Sequence, residues 1–546
     1  MLDTTSTRLS ANLRLAILAT VVAVVLPLFA SCAASPPYRT LLRTDAHCDE
    51  RYQAARWNEG AAPKNSDTEL ARIQKLIRTD RKDTQVSGCW NTSYEHHATY
   101  DLYSVEFDDQ GWLAHTSAGP VPDETQLTVL MNGLNALTRG RGAPDGRPLS
   151  VVIYTHGWHH SAAPDDENVV AFRRLLEEAS TVERELCLAK RSGQPVAAES
   201  APPEVCSENE AAPVWEKKRR VVGIYIGWRG DSVVGPVIEM SSIWDRKLAA
   251  ETVALGSVQE LYARMHSFYV EHECHSSKHQ RADAKELADC ADVRMLTVGH
   301  SFGGLITYRA LAPRMMQGVA ETAPDVFDSR LRYAYGFGDL TVLINPAFEA
   351  TRFEPLAEAA ASRLYIESSS GKSAQLPFLI IATSKTDRAT GSAFPIFRWV
   401  TTRFERATGA EREANVDAVG WDPRYRTHSI TLSSAPDVCG LASHTTMAER
   451  LFAEARWSEQ QQINMYAGFG DKILDLCDSL RLLREPTWAL KRPAFMPLWV
   501  IHADKTVIDG HNDFLNSHFV DFVRQVYYTI LREEDLVMRK RITESP

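Results

Sequence analysis

The stretch Arg294–Leu305 reads RMLTVGHSFGGL. Its first five residues, Arg294–Val298, form a short apolar run of the kind found in buried strands. A glycine-flanked serine follows, and a helical pattern begins near Leu305. Strand, tight turn and helix therefore meet at Ser301. Gly299 and Gly303 have no Cβ to obstruct so tight a turn. The turn lifts Ser301 to the end of the strand, beside a helix N-terminus, where developing negative charge is favoured.

Working outward, runs of the same character recur at Leu149–Tyr154, Arg220–Ile226, Leu340–Ile344, Pro377–Ala382 and Pro497–His502. Continuous apolar runs suit strands covered on both faces, as in parallel sheets. Between them lie helical patterns over Val169–Arg184, Ile243–Glu271, Leu305–Met316 and Asn512–Arg532. The alternation predicts an α/β fold with a mostly parallel central sheet flanked by helices. Tyr100–Leu113 alternates more like a hairpin and is expected to supply antiparallel edge strands. Arg388–Met496 separates two core strands by more than 100 residues, too many for a structureless loop. With helix-like pieces at Thr445–Arg456 and Lys472–Leu483, it is expected to be an inserted cap or lid.

A second string, Tyr154–His160 (YTHGWHH), follows the Leu149–Tyr154 strand. Its His156, His159 and His160 lie on a turn, without the HExxH spacing of a zinc helix. The run Glu271–His279 (EHECHSSKH) reads as a solvated surface loop rather than a metal site. No G-x-G-x-x-G or Walker loop is present, so neither a metal nor an organic cofactor is expected.

With YTHGW, GHSFGG and a late histidine before the last helix, the chain resembles the α/β-hydrolase superfamily of serine esterases and lipases from about Leu149 to Arg532. The N-terminal hundred residues and the 388–496 insertion match nothing in that family. The resemblance implies an α/β-hydrolase fold and a triad in the chain order serine, acid, histidine. Ser301 is then the nucleophile. Asp387 follows the Pro377–Ala382 strand and is the first choice of acid, with Glu349 one strand earlier as the alternative. His511 follows the last strand and is the implied base; His518, His502 and His300 are set on a helix, a strand and beside the nucleophile. The implied oxyanion donors are the backbone N–H groups of Trp158 and Phe302. Trp158, Trp228 and Trp244 hint at an aromatic lining, although large aromatics also serve as core.

The reaction implied is hydrolysis of carboxylic esters, lipid esters included, through an acyl-enzyme. An amidase or acyltransferase on the same core, and a non-enzymatic envelope binding protein, remain as alternatives. A formal net charge of −10 over 546 residues argues against a nucleic-acid partner. At the start, Arg8 and Arg14 precede the apolar run Leu15–Phe29, shorter than the roughly 20 residues of a membrane-spanning helix. It ends in Phe29-Ala30-Ser31-Cys32, which resembles the lipobox of bacterial lipoproteins, with Phe29 in place of the usual leucine. The similarity implies lipidation of Cys32 and anchoring in the cell envelope, at the outer membrane because Ala33 is not aspartate; a soluble periplasmic or secreted form is the alternative.

The expected organisation is a signal segment at 1–31, an N-terminal extension at 32–145, a catalytic domain at 146–387 and 497–546, and the 388–496 insertion. Nine cysteines make an odd count. With Cys32 set aside, export favours disulfides, and spacing suggests the pairs 48–89, 187–206, 274–290 and 439–477.

Overall fold

In the computed structural model the described residues are 37–42, 92–114, 124–138, 147–192, 218–230, 239–273, 292–321, 323–324, 332–362, 375–402, 415–440, 450, 453, 473–485 and 496–544. Tyr38–Pro546 forms one compact unit; of the other, Met1–Pro37, only Pro37 is described. The signal segment and Cys32 lie outside the described residues. No described helix is long and apolar enough to cross a membrane.

The strands are β1 (Tyr94–His96), β2 (Tyr100–Phe107), β3 (Leu149–Thr155), β4 (Arg220–Trp228), β5 (Val293–His300), β6 (Ala323–Pro324), β7 (Arg332–Tyr333), β8 (Leu340–Ile344), β9 (Leu379–Ser384), β10 (His428–Leu432), β11 (Ile473–Asp475), β12 (Leu480–Arg484) and β13 (Leu498–Ala503). The helices are α1 (Gln126–Thr138), α2 (Glu167–Ser192), α3 (Glu239–Leu255), α4 (Val258–His272), α5 (Phe302–Ala320), α6 (Ala350–Ala361), α7 (Phe394–Thr401) and α8 (Ser517–Glu544). One mixed sheet of 11 strands runs in the order β1-β2-β4-β3-β5-β8-β9-β13-β10-β12-β11. Its neighbours from β2 through to β10 are all parallel, and only the outermost pairings are antiparallel. β3, β8, β9 and β13 are buried at every position, as their unbroken apolar runs require. α1 packs on β2, α2 on β4 and α5 on β5, so the chain is a mixed α/β protein.

Three expectations need correction. Of the antiparallel hairpin expected over Tyr100–Leu113, only a single bridge, Phe107 to Leu113, is antiparallel; Tyr100–Phe107 is one strand, β2, buried throughout and parallel to β4, and the antiparallel edge pairing is made with β1 upstream. The alternation is absorbed because both faces of β2 are covered. The helix expected over Ile243–Glu271 is two, α3 and α4. They part at Gly256, where a Cβ would lie 2.1 Å from the Gly111 carbonyl oxygen.

The third correction concerns the 388–496 segment. Its described part extends the sheet, through β10, β11 and β12, and adds the short α7. Lys472–Leu483 is therefore no helix: Ile473–Arg484 is a hairpin. Asp478 (φ 63°) and Ser479 (φ 57°) form its two-residue turn, both in the left-handed region that such hairpin turns demand. Leu474, Leu476, Leu480 and Leu482 are all buried. Residues 441–449, which hold part of the other helix-like piece, lie outside the described residues.

The chain before β3 joins the same body. The backbone N–H groups of Tyr38 and Arg39 each donate to the Glu106 carboxylate at 2.8 Å. The buried Arg39 guanidinium donates to Glu95 (2.8 Å) and to the Ala162 carbonyl (2.8 Å).

Cys439 and Cys477 form a disulfide that ties the start of the hairpin turn to the segment after β10. The other three cysteine pairs fall outside the described residues, apart from the backbone of Cys187. The bridge closes a loop of 38 residues in sequence. Replacing both cysteines by serine is expected to cost about 3–4 kcal/mol of stability through restored unfolded-state entropy. Urea unfolding of the double variant against the oxidised protein measures it.

Candidate active site

Strand order alone creates a crevice. From β3 the chain moves to β4 on one side, and from β5 it moves to β8 on the other. Loops leaving the carboxyl ends of β3 and β5 therefore diverge, and such switch points are where open α/β sheets bind ligands. Thr155–His160 and Ser301 stand at those two ends.

β5 runs to His300, and Ser301 follows at φ 55°, ψ −121°. This backbone region is unfavourable for any residue with a Cβ. Three backbone hydrogen bonds hold it: Ser301 N–H donates to the Ile344 carbonyl (3.0 Å), and the Ser301 carbonyl accepts the N–H groups of Ala347 (3.1 Å) and Leu305 (3.2 Å). α5 begins at once at Phe302, whose N–H has no acceptor within the helix. A Cβ on Gly303 would stand 2.2 Å from the Thr155 carbonyl oxygen and 2.4 Å from that of His156. The first turn of α5 is thus pressed against the end of β3.

His511 Nε2 lies 2.8 Å from Ser301 Oγ, and His511 Nδ1 lies 3.0 Å from Asp387 Oδ2. The structure brings together the three residues proposed from sequence, across 210 positions of chain. A carboxylate only accepts, so Nδ1 carries the proton and Nε2 is left to accept the serine hydroxyl proton. The Asp387 side chain is fully buried, whereas that of His511 is 22% exposed.

Asp387 is held by more than the histidine. Its Oδ1 accepts the N–H groups of Ala389 (2.8 Å) and Thr390 (3.2 Å), and its Oδ2 accepts the Thr390 hydroxyl. Trp421 Nε1 in turn donates to Thr390 Oγ1 at 3.0 Å. Burial works to raise this carboxyl; the hydrogen bonds and charge of His511, joined by Thr390, outweigh it and hold Asp387 below the ordinary aspartate range. Sequence reasoning missed Thr390 and Trp421. The Asp387-x-x-Thr390 spacing at the start of a helical turn was the available signal, since an aspartate there caps N–H groups two and three residues on.

The alternatives lie elsewhere. Glu349 is paired with Lys247 (2.9 Å), Arg398 (2.9 Å) and Arg352 (2.5 Å). Its own burial opposes ionisation, but these cations bring it down to about 2. His518 bonds Asp478 on the hairpin turn, and His502 packs edge-on against Trp421. His300 Nε2 donates to the His511 carbonyl at 2.9 Å. Burial, then the nearby His511, drives the His300 ring down to about 3, so it is neutral.

In the turn after β3, His156 Nδ1 donates to the Gly157 carbonyl (2.9 Å) and its Nε2 accepts the Trp228 N–H (3.1 Å). Trp228 Nε1 donates back to the His156 carbonyl (2.9 Å), so Trp228 braces the turn from within the core. His160 bonds Asp166 and Asn168. Of Trp244 only the backbone is described. His159 N–H is committed to the Gly230 carbonyl at 3.0 Å. Trp158 N–H therefore remains, with that of Gly157, among the donors of this turn that have no acceptor among the described residues. A Cβ on Gly157 would stand 2.9 Å from Ser301 Cβ, so the turn passes directly beside the serine.

Neither family models, curated proteins nor solved structures yield a match to this chain.

The strain at Ser301 has a measurable counterpart. Ser301→Gly is expected to be more stable than Ser301→Ala by about 1 kcal/mol, the relieved strain exceeding the extra unfolded-state entropy of glycine. Urea unfolding of the two variants side by side checks the sign.

Proposed function

We propose that this protein is a serine hydrolase of the α/β-hydrolase type that cleaves carboxylic esters through an acyl-enzyme. The observation that carries the reading is the chain of contacts from Ser301 Oγ through His511 to Asp387, at the carboxyl end of the sheet. The strand–turn–helix setting of the serine supports it. In this reading His511 Nε2 takes the Ser301 proton as Oγ attacks the acyl carbonyl carbon. Asp387 keeps Nδ1–H pointed inward and stabilises the imidazolium that forms. The N–H groups of Phe302 and Trp158 receive the oxyanion, and each such donor is worth about 3–4 kcal/mol in the transition state. The imidazolium then protonates the departing alcohol. Water, deprotonated by the same nitrogen, releases the acid and restores Ser301.

Lipid anchoring at Cys32 belongs to the same proposal, and would place lipid esters within reach of the enzyme. If it holds, the mature chain isolated from an expressing bacterium begins at Cys32, and its mass exceeds the polypeptide by the lipid. An unmodified N-terminus elsewhere would remove the anchor from the proposal.

A fluorophosphonate probe is expected to label the wild-type chain stoichiometrically, and Ser301→Ala to abolish labelling. His511→Ala should slow p-nitrophenyl ester hydrolysis by a factor of 10³ or more, on the scale seen for loss of a triad member. A panel of p-nitrophenyl esters of increasing acyl length then separates a short-chain esterase from a lipase. Labelling that survives Ser301→Ala would overturn the assignment.

A further inference from the structure

We infer that Asn345 is the positioning residue of the base: it sets the place of the His511 ring by holding the His511 carbonyl. The inference rests on the hydrolase reading above. Its starting point is a distance problem. His511 belongs to the loop that follows β13, while Ser301 ends β5. In the sheet these strands are three places apart, with β8 and β9 between them. At about 4.8 Å per strand, the loop must lean back across roughly 14 Å of sheet edge to bring its imidazole to the serine.

The loop is tied down at each strand it crosses. Over β9, Ser384 Oγ donates to the Ile508 carbonyl (2.7 Å), Thr386 Oγ1 donates to Asp509 (2.9 Å), and Gly510 N–H donates to Thr386 Oγ1 (2.8 Å). Over β8 the tie is Asn345. Its Nδ2 donates to the carbonyls of Gly510 (3.1 Å) and His511 (2.8 Å), while its Oδ1 accepts the Ser384 N–H (2.9 Å). Its own N–H donates to the Ala382 carbonyl (2.8 Å).

Both side-chain protons and the side-chain oxygen are therefore used, and the residue is fully buried. The amide can face only one way, because a flip would set oxygen against two carbonyl oxygens. Asn345 stands at φ 45°, a left-handed backbone that asparagine tolerates better than most residues. The preceding residue, Ile344, accepts the N–H of Ser301. Two consecutive residues thus touch the backbone of the nucleophile, of the strand that leads to the acid, and of the base itself. His300 supplies the second donor to the same His511 carbonyl.

Two substitutions separate positioning from bulk stability. Asn345→Asp keeps the shape but turns an acceptor toward the two carbonyls. Asn345→Gly keeps the left-handed backbone unstrained and removes all three side-chain bonds. Each is compared with Leu134→Ala, a buried position on α1, chosen as a destabilised control. The measurements are the rate of fluorophosphonate labelling, kcat and KM for p-nitrophenyl butyrate, and Tm. Both Asn345 variants are expected to lose tenfold or more in labelling rate and in kcat with KM within twofold, the loss being greater for Asn345→Asp. Leu134→Ala should lower Tm and leave both rates within twofold.

Asn345 variants that label and turn over at the wild-type rate, or that lose no more than the control, would overturn the inference while leaving the hydrolase reading intact. A wild-type protein that takes no label at Ser301 would end both.

Discussion

The first turn of α5 lies against the carbonyl oxygens of Thr155 and His156, with no room between them for a side chain at position 303. That contact sets the distance between β3 and the helix, and with it where Ser301 can stand. It also brings the turn after β3 beside the serine, at the place where strand order opens a crevice. The local cost is a serine in an unfavourable backbone conformation, held by hydrogen bonds to Ile344 and Ala347. Strain of this kind persists only where the surroundings over-determine it, and here two strands and a helix do so.

The core of the sheet was legible because burial on both faces leaves a plain mark, an unbroken apolar run. Leu149–Tyr154 and Leu340–Ile344 show it, and both strands fall where their composition places them. The segment Ile473–Arg484 was misread for a physical reason. Leu476, Leu480 and Leu483 lie four and three residues apart, which fits a helix face, while Leu474, Leu476, Leu480 and Leu482 fit a strand face equally well. The arbiter is the turn at Asp478 and Ser479, where two residues accept positive φ, and neither is the glycine or asparagine that would have announced it.

The site divides in the same way. The meeting of Ser301, Asp387 and His511 was legible because each lies on the segment that follows a core strand, in an order the chain singles out. Thr390 left only the short Asp387-x-x-Thr390 spacing as its mark; Trp421 and Asn345 left none, because they act across loops. Asn345 meets a carbonyl 166 residues away, and Trp421 meets Thr390 from 31 residues away. No spacing within a single segment encodes such contacts. They follow from which strands become neighbours, and that is a property of the assembled sheet.

Glu349 and Asp387 show how little the residue type settles by itself. Both are buried carboxylates at the ends of strands, and in both burial works against ionisation. Around Glu349 the opposing charge comes from the ion pairs with Lys247, Arg352 and Arg398. Glu349 is thereby satisfied, locked, and joined to α3, α6 and α7 as a structural tie. Around Asp387 the partners are backbone N–H groups, a hydroxyl and one imidazole. The N–H groups and the hydroxyl fix its direction without neutralising it, which leaves the charge for His511. A carboxylate with several fixed cations has no use for a proton arriving on a histidine; one with none gains from it. The difference between the two carboxylates therefore lies in whether the compensating charge is already present, as around Glu349, or is available only from His511.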